Sequence, residues 1–132
     1  MNQTYFDERD VILSVNDYNY LPDSEGSAFD IAYGIDKNFL YGCGISMASI
    51  LFANRNSRLA FHVFTDFLTD SVRDKFAALA KQYQTRIVIY LVNCDTLKSL
   101  PSTKNWSYAT YFRFIIADYF AGKSDKVLYL DA

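Results

Sequence analysis

Four apolar runs constrain this chain more than any other feature. They are Phe29-Asp30-Ile31-Ala32-Tyr33-Gly34-Ile35, Leu59-Ala60-Phe61-His62-Val63-Phe64-Thr65, Arg86-Ile87-Val88-Ile89-Tyr90-Leu91-Val92 and Val127-Leu128-Tyr129-Leu130. Each has the length of a strand, and the third is rich in β-branched residues. Helical patterns separate them. Ile45 to Ala53 reads as a helix after a loop. Val72, Phe76, Leu79, Ala80 and Tyr83 then recur at intervals of 4, 7, 8 and 11, one apolar helical face, with Thr69 as its N-cap. A third helix runs from a cap at Ser107 through Phe120 and stops at Gly122. Strands that alternate with helices and are apolar nearly throughout must be covered on both faces. The pattern predicts an α/β fold built on a mostly parallel sheet.

Residues 1–28 are mostly polar, and Pro22-Asp23-Ser24-Glu25-Gly26-Ser27 is turn chemistry. Only Val11 to Val15 reads as a short strand, so this segment is expected to be an N-terminal extension lying on a domain formed by residues 29–132. A chain of 132 residues supports one core rather than two. A net charge of −2 gives no electrostatic reason to expect nucleic acid. No apolar run reaches the length of a membrane span. The polar, acidic start Met1-Asn2-Gln3-Thr4-Tyr5-Phe6-Asp7-Glu8 lacks the apolar core of a signal peptide. A cytoplasmic location is the expectation. Cys43 and Cys94 are far apart, form no metal-type pair, and read as reduced, buried thiols.

Several residues could carry chemistry. In the predicted helix before the last strand, Tyr108, Tyr111, Phe112, Phe114, Ile115, Ile116, Tyr119 and Phe120 leave almost no polar face, which predicts a buried helix with Arg113 in its middle. A buried guanidinium needs acceptors, because it does not release its proton. Asp118 or Asp131 could supply them, the side chain could reach water, or a ligand with phosphate or hydroxyl groups could bind there. Asp131 follows the fourth strand. It is either a cap for whatever follows or, with a second carboxylate nearby, a ligand for a hard divalent cation. Ligands of open α/β sheets gather at the carboxyl ends of the strands.

The first strand ends in Gly34-Ile35-Asp36-Lys37-Asn38-Phe39. Asp36 and Asn38 could hydrogen-bond a base or ribose, with Phe39 stacking, but Asp and Asn are also ordinary turn formers and the residues alone favour a turn. Gly42-Cys43-Gly44-Ile45-Ser46-Met47 is a weak dinucleotide fingerprint. Its third glycine is Met47 and it starts several residues after the strand, so close packing of a helix start is the better reading. His62 lies within an apolar strand and reads as a core histidine with a satisfied ring.

Together these segments resemble glycosyltransferase family 8, and more narrowly its bacterial lipopolysaccharide core α-1,3-glucosyl- and galactosyltransferases. The resemblance is carried by Ile31 to Phe39, Phe61-His62-Val63-Phe64-Thr65-Asp66, Leu97 to Trp106, Tyr111-Phe112-Arg113-Phe114 and Val127 to Ala132, in that order, across about residues 29–132. It implies a GT-A nucleotide-sugar fold, a UDP-hexose donor, a divalent cation (Mn²⁺ or Mg²⁺) and retention of anomeric configuration. Gly34, Asp36, Asn38 and Phe39 would bind the donor nucleotide, with Phe39 on uracil. Arg113 would bind the donor sugar or diphosphate. Asp131 matches the first Asp of the family's Asp-x-Asp metal motif, with Ala132 in its middle. The acceptor would be the lipopolysaccharide core, met at the cytoplasmic face of the inner membrane, any peripheral membrane contact being made by parts absent here. The chain stops after the fourth predicted strand, so the expectation is an incomplete, nucleotide-binding half that is inactive alone. A non-catalytic nucleotide-binding remnant is the alternative, and a dinucleotide-dependent oxidoreductase a weaker one, disfavoured by Met47.

Overall fold

The structure is a computed structural model that describes residues 8–22, 27–97, 112–124 and 126–130. The described residues form a five-stranded sheet in the order β1-β4-β3-β2-β5. β2 (Phe29–Ile35), β3 (Leu59–Thr65), β4 (Arg86–Val92) and β5 (Val127–Leu130) are parallel, as the four apolar runs predict and with the same boundaries. β1 (Ile12–Asn19) adds an antiparallel edge along β4, from Ile12 opposite Val92 to Asn19 opposite Arg86. It takes up the expected short strand from Ile12, Val11 closing the helical turn before it, and continues four residues beyond Val15. Its side chains are mostly exposed, so alternation rather than an apolar run marks it.

Each face of the sheet has its own apolar layer. Ile31, Tyr33 and Ile35 of β2, with Phe61 and Val63 of β3 and Ile87 and Ile89 of β4, meet α2 (Leu40–Ala53) and α3 (Asp70–Tyr83). The alternate residues Ala32, Phe64, Val88 and Tyr90 meet α4 (Phe112–Phe120) and the short α1 (Glu8–Val11). This is the period-two alternation of a strand buried on both sides. Among the described residues, no helix is long and apolar enough to cross a membrane.

α3 begins as expected, with the Thr69 hydroxyl accepting from the Val72 N–H at 3.2 Å. Gly122 has φ +79° in the turn after α4, the left-handed conformation that suits a glycine stop. The Ser107 cap lies outside the described residues.

Two expectations are corrected. α2 starts at Leu40 rather than Ile45, because Leu40, Cys43, Met47 and Leu51 already form its buried face. Gly42 and Gly44 are therefore inside a helix and form no phosphate-cradling loop, and the open space where a side chain would sit also overturns the reading that they serve close packing. The helix before β5 is also not apolar all round. Phe112, Ile115, Ile116 and Phe120 face the sheet, whereas Arg113 and Phe114 are exposed. A helix laid on one side of a sheet buries one stripe, and Arg113 and Phe114 fall outside it, while Tyr108 and Tyr111 lie outside the described residues.

Candidate functional site

The parallel register sets the carboxyl ends of three strands side by side. Ile35 pairs with Thr65, and Tyr33 pairs with Leu130. Asp36 and Asp66 therefore leave adjacent strands at one edge, and the end of β5 lies on the other side of β2. Asp131, next in the chain, is outside the described residues.

Asp36 opens a single turn of 3-10 helix, Lys37–Phe39. Its Oδ1 accepts from the Asn38 N–H at 2.9 Å, and its carbonyl accepts from the Phe39 N–H at 3.1 Å. The turn expected from the residue types is thus present. It uses one carboxylate oxygen and leaves the side chain of Asn38 exposed. Phe39 is 51% exposed, a ring held at the rim with no core of its own to fill. Burial, the main cause, and the nearby Asp36 both raise the Asp66 carboxyl above its ordinary pKa. Sequence reasoning missed this pairing, because it depends on strand register and the two residues are thirty positions apart.

Gly34 sits one residue before the end of β2, beneath the start of α4. A Cβ there would lie 2.7 Å from Phe112 Cβ, so glycine is what lets α4 approach β2 so closely. Arg113 follows Phe112 and is thereby brought to the same end of the sheet as Asp36. It is exposed, with its guanidinium 5.3 Å from the Phe114 ring centre, so it has no need of an internal counter-charge.

His62 fits the core-histidine reading. It is 4% exposed, and both ring nitrogens are engaged, Nδ1 with the Tyr90 hydroxyl and Nε2 with Asp30 Oδ1, each at 2.8 Å. Tyr33, its hydroxyl 2.8 Å from Ser46 Oγ, is pushed up to about 12 chiefly by burial. Cys43 is buried and Cys94 only partly so. Both are free thiols that burial raises, Cys94 to about 11, so neither has thiolate character at neutral pH. Among the described residues, no group of three or more His, Cys, Asp or Glu could hold a metal ion.

Residues 30–132 match the family model for glycosyl transferase family 8. The chain belongs to this family. The mostly parallel sheet with helices on both faces is consistent with its GT-A nucleotide-binding fold, and the family generally depends on a divalent cation. Over all 132 residues the chain is 64% identical to a lipopolysaccharide 1,3-galactosyltransferase of Salmonella typhimurium and 61% identical to a lipopolysaccharide glucosyltransferase of Escherichia coli. It spans 39% of the length of each. It is 43% identical, over 78% of its length, to a lipopolysaccharide 1,2-glucosyltransferase of Escherichia coli, and this region is 30% of that protein. No solved structure matches the chain. Family membership removes the dinucleotide-dependent oxidoreductase, which the helical position of Gly42 and Gly44 had already weakened.

Proposed function

We propose that residues 29–132 form the nucleotide-sugar-binding half of a retaining hexosyltransferase, which moves glucose or galactose from UDP to the lipopolysaccharide core. Residues 1–28 are the N-terminal extension, from which β1 adds an edge strand. The observation that carries this reading is the Asp36–Phe39 turn at the carboxyl end of β2, in a chain so similar to enzymes of this kind. Open α/β sheets bind ligands at that end. The turn there offers a carboxylate, an exposed amide and an exposed ring within four residues, the chemistry that uracil and ribose need. Gly34 lets α4 close over the strand end, and Arg113, at the start of α4, meets the diphosphate or donor sugar.

The donor set also suits a divalent cation. The strand ends bring carboxylate oxygens to one edge, and Mg²⁺ and Mn²⁺ prefer oxygen ligands shared with substrate phosphates. Asp131 would hold the ion, since it follows Leu130, the residue that ends β5 alongside β2. When bound, the ion supplies neutralisation of the diphosphate leaving group. Arg113, exposed at the start of α4, would add a second positive charge on the same side of the sheet.

A lipid-linked acceptor also favours contact with a membrane surface. An apolar groove of about 450 Å³ between α2 and α3, lined by Tyr41, Ile45 and Phe67 and flanked by Lys37 and Lys75, supports a peripheral contact beside the nucleotide turn.

Titration calorimetry with UDP and Mn²⁺ tests the nucleotide site. Asp36→Ala is expected to weaken UDP by about tenfold, the scale of one hydrogen bond to a charged group. Phe39→Ala, which leaves the backbone hydrogen bonds of the turn in place, is expected to weaken it as well. Unchanged affinity in both variants would return the segment to the role of a plain turn.

A further inference from the structure

α2 and α3 both end at a groove of about 610 Å³. Arg58 and Thr85, the residues that lead into β3 and β4, line it, so it lies at the amino ends of these strands. The Asp36–Phe39 turn is at the opposite end of the sheet. The groove has the size of a small-ligand pocket, roughly 300–1,000 Å³.

Its lining narrows what it could hold. Among the described residues that line it, Asn54, Asn56, Gln82 and Gln84 carry side-chain amides, Arg55 and Arg58 carry guanidiniums, and none is acidic. The four amide residues and Arg55 are exposed. An amide both donates and accepts, whereas a guanidinium only donates. A cation would find no carboxylate among these residues. A bare anion would face the carboxyl ends of two helices, each equivalent to about half a negative charge. Hydroxyl groups need donors and acceptors side by side, and this lining supplies both.

Phe52 adds a platform. Its ring is 64% exposed, and the Arg55 guanidinium lies 4.6 Å from the ring centre. The stack steadies both side chains without a counter-charge, since among the described residues no carboxylate pairs with Arg55. A ring has two faces, and the negative face of a π-system attracts the weakly positive C–H face of a sugar ring. Arg58, by contrast, is built into the wall. Its guanidinium donates to the Pro22 carbonyl at 2.7 Å, and its own carbonyl accepts from the Phe29 N–H at 2.8 Å.

Gln84 is an independent sign. It follows α3 with φ +51°, the left-handed conformation that glycine ordinarily fills at a helix end. A glutamine there costs stability, and such strain collects at sites that use the side chain. Here it sets an amide at the groove.

We propose that this groove binds a hexose-containing saccharide, with a C–H face of the sugar on Phe52 and its hydroxyls on Arg55, Asn56, Gln82 and Gln84. The site shares no residue with the proposed nucleotide site and does not rest on it.

Titration of the isotope-labelled protein with lactose and with maltotetraose, followed through its amide resonances, tests the site. Shifts are expected around residues 52–58 and 82–85, and they should persist with UDP and Mn²⁺ in excess. Arg55→Ala and Phe52→Ala replace exposed side chains, so the fold is kept. Each is expected to weaken the saccharide about fivefold to tenfold. Gln84→Gly is the sharper variant. It should raise the melting temperature, because the left-handed strain is relieved, and yet weaken the saccharide about threefold. A purely structural Gln84 would give the stabilisation with no loss of affinity. That result, the absence of shifts at these residues with both saccharides, or unchanged affinity in Arg55→Ala and Phe52→Ala would each overturn the site. Displacement of the saccharide by UDP would overturn it too, by moving the sugar to the other end of the sheet. Shifts with inorganic phosphate and none with either saccharide would make the groove an anion site instead. The UDP affinity of Asp36→Ala is read separately, so the proposed function stands or falls on its own.

Discussion

Gly34 joins the core to the site, because the same missing Cβ that admits Phe112 also sets how closely α4 covers the end of β2. Gly34→Ala forces a Cβ to within 2.7 Å of Phe112 Cβ, an atom that moves only if the helix moves. A destabilisation of about 1–3 kcal/mol is expected, as for overpacking elsewhere. Urea denaturation would measure it, and an unchanged midpoint would mean that α4 shifts freely. His62 makes a second expectation at this scale. Its folded pKa lies below the ordinary 6.5, with burial the largest cause. The unfolded chain therefore binds more protons as pH falls below 6.5, and the folded state loses stability there. The contribution is complete above 6.5 and fades as pH drops from 6.5 towards the folded value. Stability measured against pH should show this loss, and His62→Gln should flatten it. A parent protein that gains stability over the same interval would refute the neutral ring.

The elements differ in how legible they are. β2, β3, β4 and β5 can be bounded from the chain alone, because each is a short apolar run flanked by polar residues, and burial on both faces leaves no other pattern for them. β1 is only partly readable. As an edge strand it exposes Leu13 and Val15 and carries Ser14, Asn16 and Asp17, so beyond Val15 its apolar signal vanishes. α2 hides its first turn behind Gly42 and Gly44, which weaken a helical pattern without preventing a helix. In α4 an aromatic-rich sequence implies burial all round, but one sheet covers only one stripe, and Arg113 lies outside it. The Asp36–Phe39 turn is legible as residue types, whereas the approach of Asp66 and the bonds of His62 to Asp30 and Tyr90 require the strand register. α3 offers the cleanest test of an element. Thr69→Ala removes the cap on the Val72 N–H and should cost about 1 kcal/mol of stability. Thermal unfolding would check it, and an unchanged transition would mean that water caps the helix equally well.

Across the whole molecule, stability should fall from the middle of the sheet to its edges. Every residue of β3 is buried and both its neighbours are parallel partners, whereas most of β1 is exposed and β5 has four residues and no buried one. Local opening takes least free energy where few apolar contacts are lost. Native-state hydrogen exchange should therefore protect β3 most, then β2 and β4, with β1 and β5 opening well before the rest. The two edges are not equivalent for function. β5 ends alongside β2, the strand that leads into the Asp36 turn, while β1 lies beyond β4, on the far side of the sheet from β5. A ligand held between the strand ends stabilises only the openings that would release it. UDP with Mn²⁺ should therefore slow exchange in β5 and around residues 36–39, and leave β1 at its unliganded rate. Equal slowing of both edges would indicate global stabilisation rather than a site at this end. Slowing of β1 alone would move the nucleotide away from the end of β2.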